Sequence, residues 1–291
     1  MCQTLFRFGV SQKRPTNIHM KVAAAQISCV LGDRAANLGK VRDFAFRAKR
    51  AGAELIVFPE MIDTGYSMPT IKQHAAAWKE GAAPKLQKIA KELGLGIVCG
   101  ISDRDGESIY NAQVFVDATG EIVAEYRKTH LVTAAPLDER SCFSAGNEFV
   151  SCKSAFRTDS PGGEIDKFNV GLTICYDLRF PEVCRALAVG HNVNVFVTSS
   201  AWPFVRIEHL QVLARARAIE NQCYLILANR VGTDDGVTFC GSSAIIDPSG
   251  AIVAGASADR EELLQAEISN DVINSVRTGM AVFAHRRPDL Y

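Results

Sequence analysis

The stretch VGLTICYDLRFPEV, residues 170–183, carries three signals in succession. Residues 170–176 are β-branched and almost uninterruptedly apolar, as a strand buried on both faces requires. Pro181 suits the first turn of a helix, where its missing N–H would be unpaired in any case. Between the two, Cys175 occupies a sharp strand-to-helix turn crowded with Asp177, Arg179 and Glu182. Strand, turn and helix in this order point to an α/β fold. The turn falls at the carboxyl end of its strand, the edge where ligands bind in open α/β sheets.

Outward from this stretch the same grammar repeats. Apolar runs recur at 21–28, 55–59 (LIVFP), 96–102 (GIVCGIS), 112–117 (AQVFVD), 193–199, 223–231 and 243–248. Helical patterns lie between them: Leu38, Val41, Ala45 and Ala48 share one face, and further helices are expected at about 84–93, 181–188 and 206–222. Turn dipeptides at Asp105-Gly106, Thr119-Gly120, Pro161-Gly162, Asp235-Gly236 and Ser249-Gly250 add hairpins, so the sheets should be mixed. No linker or short-period repeat divides the chain, and a single domain over residues 20–291 is expected. Residues 1–19 are basic, lack acids and have their apolar stretch broken by Arg7; they read as a disordered leader rather than a signal peptide, with Met20 opening the domain.

The bulk properties narrow the function. With 32 basic and 32 acidic side chains in 291 residues, no overall field favours nucleic acid or an anionic membrane. No apolar run reaches the ~20 residues that span a bilayer. The nine cysteines are odd in number, scattered, and without metal-type spacing, as befits reduced thiols in the cytoplasm.

Three reactive side chains end strand-like runs. Glu60, after Pro59, would be partly desolvated there and a better base, unless it is an ordinary strand-end acid facing water. Lys128, in EYRKTH after a hairpin, could hold a developing oxyanion, or could belong to a solvated charge run with Arg127. Cys175 has a turn near backbone N–H groups that favour a thiolate, whereas Cys99 in GIVCG reads as an inert core thiol. His130 could pair with a thiol or make a structural hydrogen bond. A Cys-His protease using Cys175 with His130 or His209 lacks a local signature and leaves Glu60 and Lys128 unexplained.

The ordered set FPE (58–60), YRKTH (126–130) and CYDLRFPE (175–182) resembles the Glu-Lys-Cys signature of the nitrilase, or carbon-nitrogen hydrolase, superfamily. LARARAIENQCY (213–224), NRVG (229–232), IDPSG (246–250) and RRPDLY (286–291) resemble it too, so the likeness covers the chain from Met20 onward. It implies an αββα sandwich, commonly a homodimer built on helices after the nucleophile and the ENQ segment, and a cysteine amidase acting on a small amide without metal or organic cofactor. Glu60 would be the general base, Cys175 the nucleophile, and Lys128 with the Tyr176 N–H the oxyanion partners. LDERSCFSAG (137–146) maps a second, positioning glutamate onto Glu139, next to an insertion-like TAAP at 133–136. The segment at 198–222 resembles omega-amidase-like members. On that reading Arg206 binds the carboxylate of a short dicarboxylic acid monoamide such as 2-oxoglutaramate, with Trp202 packing on its carbon chain. The plain alternative makes Arg206 a solvated helix-opening charge and Trp202 a core or dimer residue. Within the resembled family, N-carbamoyl amines, deaminated glutathione, simple amides and, less favoured, nitriles stay open as substrates.

Overall fold

A computed structural model describes residues 18–134, 137–153 and 168–290. The Pro161-Gly162 turn, residues 1–17 of the expected leader, and Ala135 and Pro136 of TAAP lie outside them. Ile18 is buried and the first strand opens at His19.

Two six-stranded mixed sheets face each other. The first has, in spatial order, β14 (Glu262–Ser269), β1 (His19–Gln26), β2 (Leu55–Val57), β3 (Gly96–Asp105), β4 (Ser108–Val116) and β5 (Ile122–Arg127). The second runs β13 (Ile252–Gly255), β12 (Ala244–Ile246), β9 (Tyr224–Asn229), β8 (Val195–Ser200), β7 (Asn169–Ile174) and β6 (Ser151–Lys153). A ribbon of β10 (Thr233–Asp234) and β11 (Val237–Thr238) stands apart. Each sheet has a parallel centre, β1-β2-β3 and β7-β8-β9, with antiparallel strands outside. The mixed character follows from the hairpins at Asp105-Gly106, Thr119-Gly120 and Ser249-Gly250, which join β3 to β4, β4 to β5 and β12 to β13.

Strand periodicity decides the layering. In the first sheet Val22, Ala24, Leu55, Val57 and Val98 face the second sheet, while Ala23, Ala25, Ile56, Ile97 and Cys99 face helices α1 (Arg34–Arg50) and α3 (Ala83–Leu93). Leu38, Val41, Ala45 and Ala48 form the buried stripe of α1, as their spacing requires. Helices α4 (Pro181–Gly190) and α5 (Ile207–Asn221) cover the second sheet through Val183, Leu187, Leu210 and Ala214. The result is an αββα sandwich. A short α2 (Met68–His74) and a final α6 (Asn270–Gly279), neither anticipated from the sequence, complete the described helices. Among the described residues no helix is long and apolar enough to cross a membrane.

One glycine is required where the two sheets meet. A Cβ on Gly100 would lie 2.6 Å from the Glu60 Cα and 2.7 Å from the Pro59 carbonyl oxygen. Without one, the Gly100 N–H can donate to that carbonyl and the Ile62 N–H can donate to the Gly100 carbonyl. Gly100→Ala should therefore push the Glu60 segment off β3. We expect a loss of about 1–3 kcal/mol in urea denaturation, with a larger proportional loss of activity.

Candidate functional site

The three strand ends singled out in the sequence converge. Glu60 follows β2, Lys128 follows β5, and Cys175 follows β7, so the two sheets bring their carboxyl-end residues to one place. Glu139 joins them from a 3-10 turn, Glu139–Ser141, anchored by its N–H donating to the Val132 carbonyl.

At the centre is a buried ion cluster. The Lys128 ammonium donates to Glu60 Oε1 at 2.9 Å and to Glu139 Oε1 and Oε2 at 2.8 and 3.0 Å. All three side chains are sealed from solvent. Two carboxylates sharing one cation leave lone pairs that need donors. Asn111 donates to Glu60 Oε1 at 2.6 Å and to Glu139 Oε1 at 3.0 Å. Glu139 also receives the Tyr66 hydroxyl at 2.7 Å and the Val132 N–H at 2.7 Å. The Ala201 N–H completes Glu60 Oε2 at 2.8 Å.

The electrostatics follow from this burial. Burial pushes the Glu60 carboxyl above its ordinary pKa, and Glu139 adds to the rise while Lys128 opposes it. Burial would pull Lys128 down, but the two carboxylates more than offset it and hold the ammonium charged. The Cys175 thiol is driven well above its usual range, first by burial and then by the negative Glu60. The site therefore presents a neutral thiol next to a carboxylate whose proton affinity has been raised and a cation that cannot readily lose its proton. That set can move a proton from sulfur to carboxylate while positive charge remains at hand.

Cys175 opens a 3-10 turn, Cys175–Arg179, with φ at +42°, a conformation that a non-glycine residue adopts at a cost of order 1 kcal/mol. Asp177 holds the strained turn. Its buried carboxylate accepts the Ile174 N–H at 2.9 Å and the Tyr126 hydroxyl at 2.8 Å, and it lies 3.0 Å from the His130 Nδ1. His130, stacked on Phe180 at 3.9 Å, is thus engaged with Asp177, the structural outcome of its two readings. Cys99 faces the outer helices with its thiol pushed well up by burial.

Above the sulfur opens a cavity of about 190 Å³, lined by Cys175, Tyr176, Arg179, Trp202, Arg206 and His209 with apolar Val132 and Leu137. Trp202 is buried; its indole N–H donates to the Arg206 carbonyl at 2.9 Å, and its ring lies 4.7 Å from the Arg179 guanidinium. Arg206 ends the 3-10 turn Phe204–Arg206, stands at the N-cap of α5 and also lines the cavity, half-buried. Arg179, which sequence reasoning left without a role, is pulled down from its ordinary pKa by partial burial and by the like charge of Arg206. Two guanidinium groups share one cavity wall.

Sequence reasoning also passed over Asn111 and Tyr66. Asn111 had a signal, a polar residue inside an apolar run, but the expected strand was begun one residue later, at Ala112. Tyr66 had none, because it reaches Glu139 from a loop far away in sequence.

Residues 21–278 match the carbon-nitrogen hydrolase family, and the chain belongs to that family, whose members hydrolyse non-peptide C–N bonds. Among its relatives, a 2-oxoglutaramate amidase of Bacillus subtilis is 34% identical over 93% of this chain and 98% of that protein. The deaminated glutathione amidase of Homo sapiens is 32% identical over 93% of this chain and 83% of its own length. An amidase from Nesterenkonia sp. AN1 superposes with a TM-score of 0.80 at 26% identity, over 93% of this chain and 98% of that one. The protein is thus an amidase-class cysteine hydrolase of the nitrilase superfamily.

Asn111 offers a check on the ion cluster. Asn111→Ala removes one donor from each buried carboxylate, and we expect thermal or urea denaturation to register a loss of about 2–3 kcal/mol.

Proposed function

We propose that Cys175 is the nucleophile, Glu60 the general base, Lys128 the oxyanion partner and Glu139 a positioning residue that fixes Lys128. The observation that carries this is the buried Lys128 ammonium bound to both glutamates and within electrostatic reach of Cys175, which lines the cavity.

Glu60 accepts the thiol proton as Sγ attacks the amide carbon. Because burial makes the free thiolate costly, transfer and attack belong together rather than in sequence. The oxyanion is held by Lys128 and by the Tyr176 N–H, which at the start of the 3-10 turn has no partner within it. The tetrahedral intermediate collapses, Glu60 hands the proton to the leaving nitrogen, and ammonia departs from a thioester. Glu60 then takes a proton from water as the water attacks the thioester carbon. The carboxylic acid is released, the C–S electron pair returns to sulfur, and Glu60 returns the proton to it.

The substrate we propose is the monoamide of a short dicarboxylic acid, such as 2-oxoglutaramate. Arg206 and Arg179 would bind its carboxylate, and Trp202 would pack on its carbon chain. Support comes from the two like charges facing one small cavity, which an anion would relieve, and from the relative named 2-oxoglutaramate amidase. We also propose a homodimer, supported by Val205, Val212 and Ile219 exposed on and beside α5, and a cytoplasmic setting, which suits eight described cysteines that are all free.

The first test is ammonia release from 2-oxoglutaramate, succinamate, glutamine, deaminated glutathione and N-carbamoyl amines. Cys175→Ala should fold normally and release none; turnover persisting in a pure sample would remove Cys175 from the mechanism. Arg206→Ala should raise KM for the carboxylate-bearing monoamides roughly 10- to 100-fold and leave a neutral amide such as propionamide unaffected. Equal effects on both substrates would sink the carboxylate reading.

The raised Glu60 pKa also fixes a direction in pH. The base works only when ionised, so kcat/KM should rise with pH through an acid limb placed above the ordinary carboxylate value of about 4.3. A limb at or below that value would contradict a desolvated base.

A further inference from the structure

The end of β8 holds a hydroxyl with no employment in the resting protein. Ser200 is fully buried, and among the described residues its Oγ has no hydrogen-bond partner. The neighbouring hydroxyls are satisfied: Ser199 donates to the Phe58 carbonyl at 2.7 Å and accepts from Gln113 at 2.8 Å, and the Thr198 and Thr173 hydroxyls pair at 2.8 Å. A buried hydroxyl left unpaired is disfavoured unless it has a partner at another stage of the reaction.

Strand register indicates that partner. In the parallel pair β7–β8, Ile174 stands opposite Ser199. One step further along both chains sets Ser200 beside Cys175, the residue where β7 gives way to the turn. The main chain of Ser200 is fixed in place: its carbonyl accepts the Glu60 N–H at 3.4 Å and the Arg230 N–H at 3.1 Å, while the next N–H, that of Ala201, donates to Glu60 Oε2. The Ser200 main chain is therefore tied to the Glu60 segment and, by strand register, stands beside Cys175.

We propose that the Ser200 hydroxyl donates a hydrogen bond to the Cys175 sulfur as negative charge develops on it, making Ser200 a further catalytic residue. This rests on Cys175 being the nucleophile. A neutral thiol is a weak acceptor and a thiolate a strong one, so the bond is worth most where charge is greatest, which is the condition for lowering a barrier. As the C–S bond forms, sulfur loses its charge and the hydroxyl is released. When the deacylating intermediate collapses, the C–S pair returns to sulfur and the same donor receives it, until Glu60 gives the proton back. The electrostatic directions agree: burial and Glu60 raise the proton affinity of the thiol, whereas Ser200 and the Ala201 amide lower it.

Ser200→Ala deletes an unpaired group and leaves no new one, so its thermal midpoint should equal or exceed that of the parent. Alkylation of Cys175 by iodoacetamide, followed across pH by mass spectrometry of its peptide, needs no substrate and so stands apart from the choice of amide. The expected result is a profile displaced to higher pH, a rate at pH 7 lower by about tenfold, and a similar fall in kcat with KM within about twofold for the best amide found. Ser200→Gly, also without the hydroxyl, should behave the same way if the alanine variant folds poorly. An alkylation profile and kcat indistinguishable from the parent would overturn the proposal, as would a lowered thermal midpoint with an unchanged pH profile. Alkylation of Cys175 that leaves turnover of the parent intact, or turnover persisting in Cys175→Ala, would instead condemn the nucleophile itself.

Discussion

One ammonium group with two carboxylates, all out of reach of water, is the constraint around which the molecule is arranged. Lys128, Glu60 and Glu139 could not remain charged in an apolar interior alone, because the desolvation of each ion costs several kcal/mol. Their mutual attraction and the donors from Asn111, Tyr66, Val132 and Ala201 make the cluster tolerable. Those donors come from a strand interior, two loops and the end of β8, so most of the fold is engaged in satisfying one charge group. Gly100 is bare for the same reason: the backbone bearing Glu60 must close on β3 to reach its position.

The cavity has a division of labour. Cys175 opens onto it, while the Lys128, Glu60 and Glu139 side chains near that sulfur are sealed from solvent. Its wall includes Arg179, Arg206, His209 and Trp202. His209 lies 3.3 Å from both terminal nitrogens of Arg179, so it helps to orient that guanidinium while the Trp202 ring supports it. On the proposed reading, reaction class and substrate choice reside in separate sets of residues, in keeping with relatives at about one-third identity that carry different substrate names.

Much of this was legible in the sequence where local chemistry is strong. The parallel core strands announce themselves as apolar runs because both faces are covered, and Pro181 marks the start of α4. Glu60, Lys128 and Cys175 were legible as strand-end residues, since strand ends are where an α/β sheet exposes its functional edge. The failures have physical causes too. β14 escaped notice because an edge strand with Glu262 and Glu267 on it lacks the apolar continuity of a central one. Asn111 was excluded from its strand by the very polarity that makes it useful. The roles of Tyr66 and Asp177 depend on contacts across long sequence separations, which no local pattern encodes.

The pairing of β1 with β14 has a bearing on how the chain is made. Register runs from His19 opposite Ser269 to Gln26 opposite Glu262, so β1 waits for a strand made after all the others described. Until then β1 has only β2 beside it and presents an open edge along its other side. Such an edge is a template for wrong pairing, and contacts this distant in sequence form slowly. The first sheet can be completed only after β14 is synthesised, which leaves a window in which chaperones or neighbouring nascent chains compete for β1.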